Sequence, residues 1–305
     1  MTNILLPDMS EPIPADIQSH TDISDLGTQY INTYLYTDID ISPYLTWITG
    51  LSFNDFESRS VDRATINPKL GAIWRVSPST TLRAAWFKTV KRPFASQQTV
   101  EPTQVAGFNQ VFDDIDGSKS QRYGLAIDQR FGSDLFIGLE ASWRDLETPF
   151  FNKDAGTSVL QVQHEQFHRA YLYWTPVTSL ALSAGYFFED IDKRFPTTEK
   201  DTITTHRTPL ELRFYHPTGF FARASATYVN QDVATADAIG DDRFWVTDLS
   251  FGYRLPRRWG VAQVGIKNIF DQEFHFHDIN FNTGEPVIPL FQPERVIFTQ
   301  FTFSF

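Results

Sequence analysis

His164 and His168 stand four residues apart. On a helix that spacing would put both imidazoles on one side of a turn, where they could share a metal ion. The residues around them alternate as a strand instead. At a rise of about 3.3 Å per residue the rings would then stand roughly 13 Å apart, so a shared metal is not expected. His275 and His277 flank Phe276, with Asp278 following; this suits a weak surface metal contact at most, and an exposed polar loop is the plainer reading. Asp113, Asp114 and Asp116 precede Gly117 but lack the spacing and final Glu of an EF-hand loop. They read as a solvated turn, open at most to a divalent cation. Serine and histidine occur on the same segments, yet no Gly-x-Ser-x-Gly elbow is present. Cysteine is absent, which removes disulfides, thiol catalysis, Cys-ligated zinc and iron–sulfur clusters. No catalytic residue, metal site or cofactor is expected.

The elements that carry these residues are strands. Leu135, Ile137, Leu139, Ala141 and Trp143 alternate with Phe136, Gly138, Glu140, Ser142 and Arg144. Successive strand side chains point to opposite faces, so one face is apolar and the other mixed or charged. The same division recurs at Leu180–Glu189, Leu210–Phe214, Phe220–Tyr228 and Trp245–Leu255. Each run is about ten residues, the length that crosses a bilayer when tilted. The chain holds 28 Phe, 11 Tyr and 7 Trp, and its aromatics gather near strand ends, where an interface girdle would need them. A soluble sandwich would also alternate, but its strands would run to about five or six residues.

The connections come in two lengths. Short turns fall near Asp38–Pro43, Val76–Ser79, Gly132–Asp134, Thr175–Thr178, His216–Thr218 and Pro256–Arg258. Longer polar connections fall near Lys88–Ser120, Asp145–Gln163, Asp190–Thr205, Asn230–Asp242 and Asp271–Glu294, with a short one at Glu57–Arg63. Short and long alternate from about residue 80 onward, the pattern of an up-and-down barrel with tight periplasmic turns and long surface loops. The fold expected is all-β: an antiparallel up-and-down transmembrane β-barrel, or a large open arc of one, with about thirteen strands. Residues 1–27 read as a loop-like N-terminal segment and 28–305 as the barrel portion. The net charge of −11 argues against nucleic-acid binding, which needs a basic footprint. No apolar run reaches the roughly 18 residues of a transmembrane helix.

Two segments carry a family resemblance. Val264-Gly265-Ile266-Lys267-Asn268-Ile269-Phe270-Asp271, a long loop, then Pro293-Glu294-Arg295 and a final strand resemble the C-terminus of TonB-dependent receptors. Asn67-Pro68-Lys69-Leu70-Gly71 is similar to an element that opens a mid-barrel strand in the same family. The last strand, with Phe301, Phe303 and Phe305 on one face, resembles the terminal strand that the barrel-assembly machinery reads. The segment from Lys91-Arg92-Pro93 to Glu101-Pro102-Thr103-Gln104-Val105-Ala106-Gly107-Phe108-Asn109 departs from the receptor pattern. It resembles a receptor-like barrel found behind tetratricopeptide repeats.

The resemblance implies transport of a solute across the cell outer membrane, by capture on surface loops and passage through a polar interior. The repeat-associated barrel implies an export or assembly role instead. Loop position makes Phe108, Asn109, Phe112, Phe276 and His277 the ligand candidates. The implied partners are outer-membrane lipid and lipopolysaccharide, the barrel-assembly machinery, and TonB through a missing N-terminal part, since no plug or TonB box is recognisable in this sequence. An odd strand number puts the two ends of a sheet on opposite sides, whereas bacterial single-chain barrels have even numbers. Further barrel strands upstream, and an open sheet in these residues alone, are therefore expected.

Overall fold

The computed structural model describes residues 29–57, 62–92, 101–110, 114–152, 157–194, 201–235, 239–277 and 291–303. The expected N-terminal segment 1–27 lies outside them. The strands are β1 Gln29–Ser42, β2 Leu45–Glu57, β3 Asp62–Ser77, β4 Thr80–Val90, the short β5 Gln104–Val105 and β6 Phe108–Asn109, β7 Lys119–Phe131, β8 Leu135–Asn152, β9 Thr157–Val177, β10 Leu180–Arg194, β11 Asp201–Tyr215, β12 Phe220–Ala234, β13 Ile239–Arg254, β14 Gly260–Lys267 and β15 Val296–Phe303. All but β5 and β6 form one sheet of 13 strands in sequence order, and β5 pairs only with β6. Every pairing is antiparallel, and β1 and β15 are the two edges of an open arc.

Residues opposite each other in an antiparallel ladder share a face, so the register carries the alternation from strand to strand. Leu82 pairs with Ile127 and Ile127 with Leu139. Leu182 pairs with Leu212, Leu212 with Ala224 and Ala224 with Leu249. Ala262 pairs with Phe301. This face is exposed: Leu125 is 58% and Phe301 65% accessible. Aromatics border it in two rows. Trp86, Tyr123 and Trp143 are neighbours at one level, as are Tyr228 and Trp245. Near the short turns stand Trp74, Trp174 and the Phe220–Tyr253 pair. This is the girdled apolar band of a membrane barrel.

The other face carries the charges and is the concave one. Adjacent strands lie about 4.8 Å apart, yet Arg83 of β4 reaches Glu140 of β8 across β7 at 3.5 Å. Tyr171 of β9 reaches Asp128 of β7 across β8. Its ring passes over Gly138, where an added Cβ would sit 2.1 Å from Tyr171 Cζ. Glu140, Glu211, Arg213, Arg223 and Asp248 all lie on this face.

Several connections expected as long loops are strand instead. The β8–β9 ladder continues to Asn152↔Thr157, β10–β11 to Lys193↔Asp201, and β12–β13 to Ala234↔Ile239. Beyond the bilayer the outward residues need not be apolar, so polar sequence continues the same ladder. At 21 residues β9 is roughly 70 Å long at the strand rise, well beyond what the membrane requires. In the two remaining long connections, after β4 and after β14, the described residues 101–110, 274–277 and 291 lie on the concave face.

Candidate functional site

Alternation places a polar side chain at every second position of the concave wall, and the register joins them into a network. Arg83 Nε donates to Asp128 Oδ2 at 2.8 Å. Arg169 Nη2 donates to Glu140 Oε2 at 2.8 Å, so Glu140 holds two guanidiniums. Arg122 and Arg144 stand directly opposite each other on β7 and β8. Two like charges so placed would repel, and each has its own acceptors. Arg122 donates to Ser142 Oγ at 2.8 Å and Arg144 to Glu165 Oε2 at 2.9 Å and to Asp114. Arg213 and Arg223 also face one another and share the carboxylate of Glu211, Arg223 at 2.6 Å.

The two halves of the wall differ in access. On β9, β11 and β12 the side chains of Arg169, Arg213 and Arg223 are 44–49% accessible. A cleft of about 300 Å³ opens there, lined by Tyr171, Tyr173, Arg207, Glu211, Arg223 and Asp248, with Phe291 above it. Arg207 lies 4.9 Å from the centre of the Phe187 ring and 3.7 Å from Glu189. Exposed guanidiniums beside tyrosine rings can hold an anion that also carries a flat or apolar part.

Residues 274–277 and 291, in the connection after β14, pack over β12 and β13. Phe274, Phe276 and Phe291 pack on Phe244, with Phe274 stacked on it at 4.3 Å. Gln231 binds the backbone of His277 twice, donating to its carbonyl at 3.0 Å and accepting from its N–H at 2.8 Å. Asn268, fully buried, ties the two ends of the loop through the carbonyls of Gln272 and Gln292. Of the ligand candidates, Phe276 therefore sits half-buried in this aromatic cluster, while the His277 side chain is exposed beside it.

Phe108 and Asn109 are elsewhere. They belong to a small hairpin on the β1–β7 half of the wall, where Phe108 is 1% exposed and the Asn109 carbonyl accepts from Arg122 at 3.1 Å. The structure thus brings Phe276 and His277 together, and Phe108 and Asn109 together, as two separate groups. Phe112 lies outside the described residues. Phe301 and Phe303 share the outward face of β15, and Phe305 lies outside the described residues. His164 pairs with Asp145 at 2.7 Å on the outward face, and no cluster of metal-ligating side chains is found among the described residues.

Sequence reading missed Glu101, Lys69 and the glycines beneath the hairpin. A signal was present. Lys69 and Gly71 alternate with the outward Leu70, which puts a lysine and a gap on the inner face. Ala106-Gly107 between Val105 and Phe108 is the two-residue spacing of a tight hairpin.

The family model described as TonB dependent receptor-like, beta-barrel matches residues 6–269. No curated protein sequence matches this chain significantly. Solved structures do match in fold. The FrpB iron transporter of Neisseria meningitidis superposes with a TM-score of 0.65 at 12% identity, over 89% of this chain and 45% of that one. The ferric enterobactin receptor PfeA of Pseudomonas aeruginosa gives 0.63 at 16% identity, over 91% and 45%. The siderophore receptor PirA of the same organism gives 0.60 at 16%, over 91% and 48%. The chain spans less than half the length of each of these proteins.

Proposed function

Because the chain belongs to the TonB-dependent receptor-like β-barrel family, and so to the cell outer membrane, we propose that its concave wall lines the path of a solute of net negative charge. The observation that carries this reading is the set of accessible guanidiniums on β9, β11 and β12. Among the described residues one carboxylate, Glu211, pairs with both Arg213 and Arg223, so those two guanidiniums are neutralised only in part. An anion would complete their coordination, and the tyrosines and Phe291 of the adjoining cleft would contact its apolar part. Ferric chelates, the cargo named for several of the structural neighbours, are the first probes to use. Coupling to TonB is part of the proposal and would be carried by sequence other than these residues.

The test is accumulation of radiolabelled, negatively charged ferric chelates by cells that produce the protein, its Arg213→Gln/Arg223→Gln variant, or neither. The reading predicts accumulation that depends on the protein and falls several-fold in the variant. Equal accumulation with and without the protein, for every anionic chelate, would contradict it.

A further inference from the structure

Residues 101–110 leave the sheet and form a hairpin on its concave face, held there at the base, along the inner side and at the turn. Ala106 and Gly107, at φ 48° and 84°, make the two-residue turn with positive φ at both positions that suits a tight hairpin. A two-stranded hairpin is marginal by itself in water, so its order comes from the wall. Val105, Ala106 and Phe108 are 2% exposed or less and pack with Ala85, Phe87 and Ala126.

The wall is cut to receive them. A Cβ at Gly71 would lie 2.9 Å from Val105 Cγ1, and one at Gly124 would lie 2.3 Å from Phe108 Cε1. Any larger residue at either place would occupy the volume that the hairpin side chains fill. Arg83 and Arg122 bracket the Phe108 ring at 5.3 and 6.0 Å. They also donate to the carbonyls of Ala106 at 3.3 Å and Asn109 at 3.1 Å. At the base, Glu101 accepts from Asn32 and Tyr36, both at 2.8 Å, and faces Lys69 and Arg92 at 3.8 and 3.6 Å.

A lid that swung aside for each passing solute would open both sockets and separate a buried lysine from its carboxylate every time. We infer that residues 101–110 are instead a permanent constriction of the lumen, seated at Gly71 and Gly124, on the β1–β7 side of the wall and away from the β9–β13 side. The assignment of solute to that side rests on the transport reading above; the seating of the hairpin does not.

Cysteine pairing tests it. The chain has no cysteine of its own. A Cβ at Gly71 stands 3.0 Å from the Ala106 Cβ and 2.9 Å from Val105 Cγ1, about half an ångström inside the roughly 3.5–4.5 Å of a disulfide, so Val105→Ala is added to the pair to make room for the bridge. In the full protein, Gly71→Cys/Val105→Ala/Ala106→Cys is expected to oxidise almost completely when outer membranes are treated with copper phenanthroline, read as the joined peptide by mass spectrometry. The potassium chloride conductance of the purified protein in planar bilayers is then expected to be the same before and after reduction. Replacing residues 101–110 with a Gly/Ser linker of equal length should raise that conductance several-fold. No cross-link in folded protein, a conductance that rises on reduction, or no gain on replacement would each overturn the inference. If the linker variant does not fold, the cross-link result decides. None of these readouts needs the cargo, so the failure of the anionic-solute reading would show separately.

Discussion

Lys69 Nζ lies 3.8 Å from Glu101 Oε1, with the two side chains only 1% and 7% exposed. One belongs to a wall strand and the other to the hairpin, so this pair fastens the inner segment to the barrel. Lys69 also donates to the Lys88 carbonyl at 2.8 Å. Removing Glu101 leaves the buried Lys69 ammonium without its carboxylate, at a cost of about 3–5 kcal/mol, whereas removing both is far cheaper; removing Lys69 alone costs less, because Arg92 stays 3.6 Å from Glu101. Glu101→Gln is therefore predicted to lower the unfolding midpoint in denaturant clearly, and Lys69→Met/Glu101→Gln to recover much of the loss.

The contact between Gly124 and Phe108 makes a second prediction. An alanine at 124 would meet the ring at 2.3 Å, so the ring must move. Overpacking of this kind costs about 1–3 kcal/mol. Gly124→Ala should make the hairpin more accessible to protease. Gly124→Ala/Phe108→Ala should be less destabilised than the sum of the single variants. Strict additivity would mean that the glycine does not serve as the socket.

The outward face predicts a depth-dependent cost. Leu125 lies midway along β7, between Ala84 and Ala141 of the neighbouring strands. Leu125→Arg should cost about 2–4 kcal/mol in a bilayer. Ser225→Arg, on the concave face of β12, should be nearly neutral. Comparable losses of heat-modifiable folded protein from both changes would count against the assignment of faces.

Phe301 and Phe303 lie on the outward face of the last strand, in the pattern that the barrel-assembly machinery is proposed to read. Phe301→Asp, or deletion of Phe305, is predicted to leave synthesis intact and to reduce surface-exposed folded protein severalfold or more. Normal surface levels of either variant, measured by antibody on whole cells, would remove the assembly-signal role.

The faces were legible because membrane and lumen select opposite residue types at every second position: Leu139 beside Glu140, Leu212 beside Glu211. About thirteen strands could be counted for the same reason. Strand ends were not legible above the bilayer. Glu147 pairs with Val162 and Thr148 with Gln161, and residues of those types satisfy a ladder as readily as a loop. The inner hairpin was hidden for a different cause. Phe108 in a polar connection reads as an exposed contact residue, and only the wall glycines, distant in sequence, reveal that it is packed. Glu101 gains its meaning from Lys69, Asn32 and Tyr36 on other strands, a juxtaposition that no local spacing encodes.

The central claim is that one face of this sheet meets lipid and the other an aqueous interior, and β11 tests it most directly. Single cysteines would be placed in turn at Leu210, Glu211, Leu212, Arg213 and Phe214, in a chain with no other thiol. Their reaction with a charged, membrane-impermeant thiol reagent would be followed in intact outer membranes. The account predicts fast labelling at 211 and 213, and little or none at 210, 212 and 214. Uniform labelling, or the opposite alternation, would contradict it.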